Sequence, residues 1–167
     1  MNAPDTTSLS SYFPLPSLGI LPVNAFVIKA AQPVLVDTGL SALRQPFVEA
    51  LSRTIDPQDI RWIWLSHMDA DHLGNLEDVL ALAPHAKVVT NFLGMGKMML
   101  RHFDVSRVHL LEPGMTIDAA RAGYRLREYE LDLEHRATGR TPGGFVHRGR
   151  QLADIGRALF SRRRARA

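Results

Sequence analysis

The sequence contains no cysteine. That removes disulfide staples and thiolate ligands at once, so a metal ion could be held only through His, Asp or Glu. It also lacks any apolar run near the roughly 18 residues that a membrane-spanning helix requires. The opening Met1-Asn2-Ala3-Pro4-Asp5 has neither the basic start nor the apolar stretch of a secretory leader, and the expected location is cytoplasmic. Tandem repeats and low-complexity linkers are missing too. What remains is 167 residues, 46% of them hydrophobic, enough chain to bury one core. The formal net charge of +3 conceals an uneven distribution. Residues 1–120 hold 8 Lys and Arg against 12 Asp and Glu, whereas residues 121–167 hold 12 Arg against 5 acids. The final Arg162-Arg163-Arg164-Ala165-Arg166 reads as a solvated tail. With no aromatic residues interleaved and no recognised binding motif, the composition argues against nucleic acid as a partner.

The stretch that promises chemistry is Ser66-His67-Met68-Asp69-Ala70-Asp71-His72. Before it runs Ile60-Arg61-Trp62-Ile63-Trp64-Leu65, bulky and β-branched enough for a buried strand. After it, leucines recur at helical spacing from Leu73 to Leu82. His67, Asp69, Asp71 and His72 therefore fall in a strand-to-helix turn, where alternate side chains can point the same way and His72 can approach from the side. Imidazole nitrogen and carboxylate oxygen together suit zinc, iron or manganese. A helix cap would explain one of the two carboxylates but not both, set between two histidines.

Residues 1–19, rich in Ser, Thr and Pro, are expected to form an arm. Ile20 to Val36 reads as a β-hairpin turning at Ala30-Ala31-Gln32-Pro33. Asp37-Thr38-Gly39 reads as a turn in which Asp37 bonds backbone amides and Gly39 supplies an unusual dihedral. Ser41 is expected to cap a helix through Thr54, burying Leu43, Phe47, Val48 and Leu51. A strand at Ala86–Thr90 and a Met-rich helix from Phe92 to His102 follow. Its Met95, Met98 and Met99 are expected as core or pocket filler. Strands near Val108–Leu111, Gly114–Ile117 and Tyr124–Leu131 complete the pattern, a mixed α and β chain.

The motif, with the hairpin and the Asp-Thr-Gly turn upstream, resembles the metallo-β-lactamase superfamily, whose signature is His-x-His-x-Asp-His. Asp69 stands here at the second histidine's place, similar to the di-iron flavodiiron and oxygen-binding branch, which carries a carboxylate there. The resemblance implies an αββα sandwich over residues 20–160, between the arm at 1–19 and a basic tail at 161–167. It also implies one or two divalent ions, zinc or iron, on His67, Asp69, Asp71 and His72, and a supporting role for Asp37. Asp71 would be the catalytic carboxylate, orienting a nucleophile. The second half departs from the family. Gly139-Arg140-Thr141-Pro142-Gly143 looks like the loop that supplies a third histidine, with Arg140 in its place. Arg157 similarly occupies the position of a bridging aspartate. A guanidinium cannot donate a lone pair to a cation. His135 and Asp154 are the alternative recruits. The chain reaches Ala167 before a last histidine, so the sandwich is expected to be incomplete in its second half, and the protein either to form a homodimer over the uncovered face or to be poorly stable as a monomer.

Three functions are compatible with this pattern. One is a hydrolase using a metal-activated water on an unidentified small-molecule substrate. Another is a di-iron protein binding dioxygen or nitric oxide. The third is a non-catalytic member that keeps the fold.

Overall fold

The structure, a computed structural model, describes residues 5–111 in full together with the backbone of residues 116–118 and 125–127. Its centre is a six-stranded sheet in sequential order, β1 to β6. Strands β1 (Thr6–Leu15), β2 (Gly19–Ile28) and β3 (Val34–Val36) are antiparallel. From β3 onward the sheet is parallel, through β4 (Trp62–Trp64), β5 (Lys87–Thr90) and β6 (Val108–Leu110). Parallel neighbours need crossovers. These are helix α1 (Arg44–Thr54), the pair α2 (Ala70–Leu73) and α3 (Leu76–Leu82), and α4 (Phe92–Leu100). Strands β7 (Thr116–Asp118) and β8 (Arg125–Arg127) pair as a separate two-stranded ladder. Among the described residues no helix is long and apolar enough to cross a membrane.

Strands buried on both faces read as continuous apolar runs, and the register explains why Val34-Leu35-Val36 and Trp62-Ile63-Trp64 do. Leu35, Ile63 and Val88 stand side by side across β3, β4 and β5. They share one core with Phe47 and Leu51 of α1, Leu76 and Val79 of α3, and Met98 of α4. The alternating residues Val34, Val36, Trp64 and Val89 form a second cluster on the opposite face with Ile28 and Leu111. The mixed architecture and the hairpin turning near Pro33 agree with the sequence reading.

Four local expectations need correction. The segment read as an arm is largely strand β1, paired along its whole length with β2 from Thr6 opposite Ile28 to Leu15 opposite Gly19. It lies at the sheet edge and buries only Leu9, so the apolar alternation that would have marked it is missing. Ser41 does not cap α1; it opens a short 3-10 turn, Ser41–Leu43, and no side chain caps α1. Of the four side chains assigned to the buried face of α1, Phe47 and Leu51 are buried, while Leu43 and Val48 are half-buried. In the Met-rich helix Met98 is core, but Met99 is exposed.

Candidate metal centre

Among the described residues the candidate ligands lie beyond the carboxyl end of β4, and the neighbouring end of β3 supports them. Trp64 is the last residue of β4, and Asp37 follows the end of β3 directly. The Asp37 amide bonds the Trp64 carbonyl at 2.8 Å, which continues the ladder by one rung and carries Asp37 under the motif. Its backbone then turns back with a φ of 60°, and Gly39 follows at 69°. Asp tolerates this left-handed region better than most residues, and Gly adopts it freely. Thr38 clamps the motif helix from below, its amide and hydroxyl both donating to the His72 carbonyl at 2.6 and 3.0 Å. The Gly74 amide bonds the Gly39 carbonyl at 2.8 Å. A Cβ on Gly74 would run into the backbone of Ser41, Ala70 and Gly39, so glycine permits this close approach. Asn75, buried, donates to the carbonyls of Thr38 and Leu40. On the other side the Arg101 guanidinium donates to the Met68 carbonyl at 2.6 Å, tying the motif loop to the end of α4.

Held between these supports, His67, Asp71 and His72 each offer one ligand atom, and these atoms lie within 4.8 Å of one another. Ligands on opposite sides of an ion with bonds of about 2.0–2.2 Å stand up to about 4.4 Å apart. The trio therefore needs only a small closing movement to enclose a divalent cation, and its two nitrogens and one carboxylate are the right donors. Asp69, the fourth candidate, is exposed at the rim, with Oδ2 at 3.4 Å from His67 Nε2. It is not part of the trio as the side chains stand.

The two imidazoles lie 3.7 Å apart between ring centroids but meet different surroundings. His72 is buried. Burial disfavours its charged form, yet the Asp37 hydrogen bond and charge, with the nearby Asp71 and Asp69, outweigh that cost and raise its pKa above the ordinary imidazole value. His72 Nδ1 lies 2.8 Å from Asp37 Oδ2, and Nε2 lies 3.4 Å from Asp71 Oδ2. His67 is half-buried. Desolvation first, and the charge of His72 second, push its pKa down against the pull of the three aspartates. Asp37 thus holds the His72 ring through Nδ1, a contact of the kind that orients metal-binding histidines. Ser66, Asn75 and Gly74 were not legible as site residues in the sequence. Each acts through a contact more than 28 residues away in the chain, and no local pattern announces such contacts.

A family model described as the metallo-beta-lactamase superfamily matches residues 18–153. The chain belongs to the metallo-β-lactamase superfamily. Among curated relatives, a putative diflavin flavoprotein A 2 of Nostoc sp. is 42% identical over 72 residues, covering 43% of this chain and 12% of the relative. The flavo-diiron protein FprA2 of Clostridium acetobutylicum is 32% identical over 79 residues, covering 47% of this chain and 19% of the relative. The superfamily chain described here thus spans less than a fifth of the length of either protein. Among solved structures, a fragment of the putative diflavin flavoprotein A 5 from Nostoc sp. PCC 7120 superposes with a TM-score of 0.64 at 16% identity, covering 74% of this chain and 52% of that one. That likeness shows the same superfamily fold. Arg140, Arg157, His135 and Asp154, the positions on which the second half of the site was expected to turn, lie outside the described residues, as does the basic tail.

Proposed function

We propose that this chain holds iron in a redox site of the flavo-diiron kind and handles dioxygen or nitric oxide there. The observation that carries the reading is the donor set itself. Two imidazoles and the Asp71 carboxylate converge, Asp69 adds a second carboxylate at the rim, and the sequence offers no thiolate. Mixed imidazole and carboxylate ligation suits iron as it does zinc, so the donor set admits iron and the names of the relatives favour it. The curated relatives named as flavoproteins and a flavo-diiron protein support the same reading.

His67, His72 and Asp71 would hold the ion, with Asp69 closing in from the rim or serving a second ion. Iron would supply the one-electron chemistry that no side chain here can perform. Asp37 keeps the buried His72 ring fixed, and the half-buried His67 and Asp71 leave the site open to a small diatomic molecule. Electrons would reach it from a flavin carried on another domain or another protein.

A hydrolytic reading uses the same trio and is favoured by one observation, the half-buried Asp71 carboxylate, well placed to orient an attacking water. A divalent ion, zinc included, would lower the pKa of that water toward neutrality.

The deciding measurement is turnover of the protein loaded anaerobically with Fe(II). The redox reading expects retained iron by elemental analysis and consumption of dioxygen or nitric oxide, under a chemical reductant, well above free iron, both lost in His67→Ala. Iron-loaded protein that consumes neither gas faster than free iron overturns it. Zinc-dependent hydrolysis of ester or phosphoester probes would then favour the second reading.

A further inference from the structure

The Ser66 hydroxyl sits among three groups that matter to the site. Its Oγ is 2.8 Å from Asp37 Oδ2, 3.1 Å from His67 Nδ1 and 3.3 Å from His72 Nδ1. The Ser66 backbone amide also donates to Asp37 Oδ1 at 2.8 Å. One carboxylate therefore grips both the amide and the hydroxyl of a single residue.

A serine hydroxyl has one proton to give and lone pairs with which to accept. Hydrogen bonds to an ionised acceptor are shorter and stronger than neutral ones. The shortest contact, to Asp37 Oδ2, therefore takes the Ser66 proton. The carboxylate has no proton to return, so Ser66 Oγ faces His67 Nδ1 with a lone pair. It can be satisfied there only if Nδ1 carries the hydrogen. A neutral His67 protonated on Nδ1 keeps its Nε2 lone pair free. His72 reaches the same state directly, its Nδ1 donating to Asp37 Oδ2 at 2.8 Å.

We propose that Ser66 is a positioning residue that holds His67 in its Nδ1-protonated tautomer, so that Asp37 presents both imidazoles to the metal through Nε2, His72 directly and His67 through the Ser66 hydroxyl. The inference deepens the metal-site reading above and rests on it. The opposing contact is the exposed Asp69 carboxylate, 3.4 Å from His67 Nε2, which would draw the hydrogen to Nε2. It is longer and solvated, and Ser66 outcompetes it. An imidazole in water prefers the Nε2-protonated form, so the proposed state differs from the default.

Long-range proton–nitrogen correlation spectra of the metal-free, ¹⁵N-histidine-labelled full chain read the tautomer of each neutral ring directly. Wild type is expected to show His67 and His72 both protonated on Nδ1. In Ser66→Ala, His67 should revert to the Nε2-protonated form while His72, held by Asp37, stays as it was. Ser66→Thr, which keeps the hydroxyl, should restore His67. Zinc and ferrous titrations should weaken about 10-fold or more in Ser66→Ala and recover in Ser66→Thr, in line with the loss of other groups that orient metal ligands. A wild type that binds metal with His67 protonated on Nε2 overturns the Ser66 inference alone, and this needs no variant to fold. So does a Ser66→Ala protein whose His67 tautomer is unmoved. A wild type that takes up neither ion overturns the metal-site reading, and the positioning role falls with it.

Discussion

Asp37 Oδ1 accepts from the Ser66 amide while Oδ2 accepts from both the Ser66 hydroxyl and His72 Nδ1, and accepting on both oxygens is a demand that only a carboxylate meets. Asp37→Asn preserves the side-chain shape and tolerates the left-handed backbone, but its NH2 group would replace one of the two accepting oxygens and set a donor against either the Ser66 amide or the Ser66 hydroxyl and His72 Nδ1. The expected result is a folded protein by circular dichroism whose metal affinity falls about 10–100-fold; unchanged affinity would mean that the Asp37–His72 contact is incidental. The two rings should also titrate apart in the metal-free protein, His67 below and His72 above the ordinary imidazole value, as NMR shifts against pH would show. The signs oppose each other. His72 binds its proton more tightly folded than unfolded, so its contribution to stability is complete below the unfolded pKa and is lost as pH rises through its raised value. His67 contributes in the reverse sense, losing stability as pH falls through its lowered value. Coincident titrations would show that the Asp37 contact does not discriminate between the rings. The trio was legible in the sequence because its members fall within six positions on one turn. Spacing picks out Asp69 equally, and its exposed carboxylate lies 3.4 Å from His67 Nε2 without joining the trio as the side chains stand. Alternation in a turn fixes which residues are near one another, but side-chain dihedrals decide which of them converge.

The loop leaving β3 meets the carboxyl end of α2 under the motif, and their contact is backbone on backbone. Gly74 has ordinary helical dihedrals, so an alanine would suffer no conformational strain there. Its Cβ would instead lie inside the contact distance of three backbone atoms, those of Ser41, Ala70 and Gly39, and backbone cannot rotate away as a side chain can. Gly74→Ala should therefore lower stability by about 1–3 kcal/mol or more, the range for overfilling a packed site, and weaken metal binding as the Thr38 clamp on His72 opens. Urea melts and a metal titration on the same sample test this; a variant as stable as wild type would show that the loop and the helix end do not pack as described. The sequence announced Gly39 through the Asp-Thr-Gly turn but gave no comparable sign for Gly74, whose constraint comes from a loop some 35 positions earlier. Strand β1 shows the same limit. Thr6, Thr7, Tyr12 and Phe13 are good strand residues, yet an edge strand with a single buried side chain has no alternation to read, and Pro14 and Pro16 pointed to an irregular arm. Central strands β3, β4 and β5, buried on both faces, were read correctly because burial leaves its mark on composition.

Among the described residues the candidate ligands come from a single six-residue turn, but the groups that hold them come from β3, β4, α2 and the end of α4, so the geometry exists only when the sheet and its crossovers are assembled. An ion that binds this assembled site and not the unfolded chain must stabilise the fold by mass action, by about 2.7 kcal/mol at one hundred times the dissociation constant. For a chain of this size that corresponds to a rise in melting temperature of roughly 5–10 °C. Ferrous or zinc ion at that level should produce the shift near neutral pH, a chelator should reverse it promptly, and His67→Ala should melt at one temperature with or without metal. Prompt reversal is expected because the three side chains that converge among the described residues make an incomplete shell; a shift that survives prolonged chelation would show that further ligands complete it. The shift should also shrink as the pH is lowered through the imidazole range, because protons compete with the ion for Nε2 of both rings, and it should shrink there even though His72 alone favours the folded state when protonated. Metal that binds without moving the melting temperature at neutral pH would show that the folded site holds it no better than the unfolded chain does. That result would separate the six-residue motif, which any conformation of the chain carries, from the centre that β3 and β4 assemble around it.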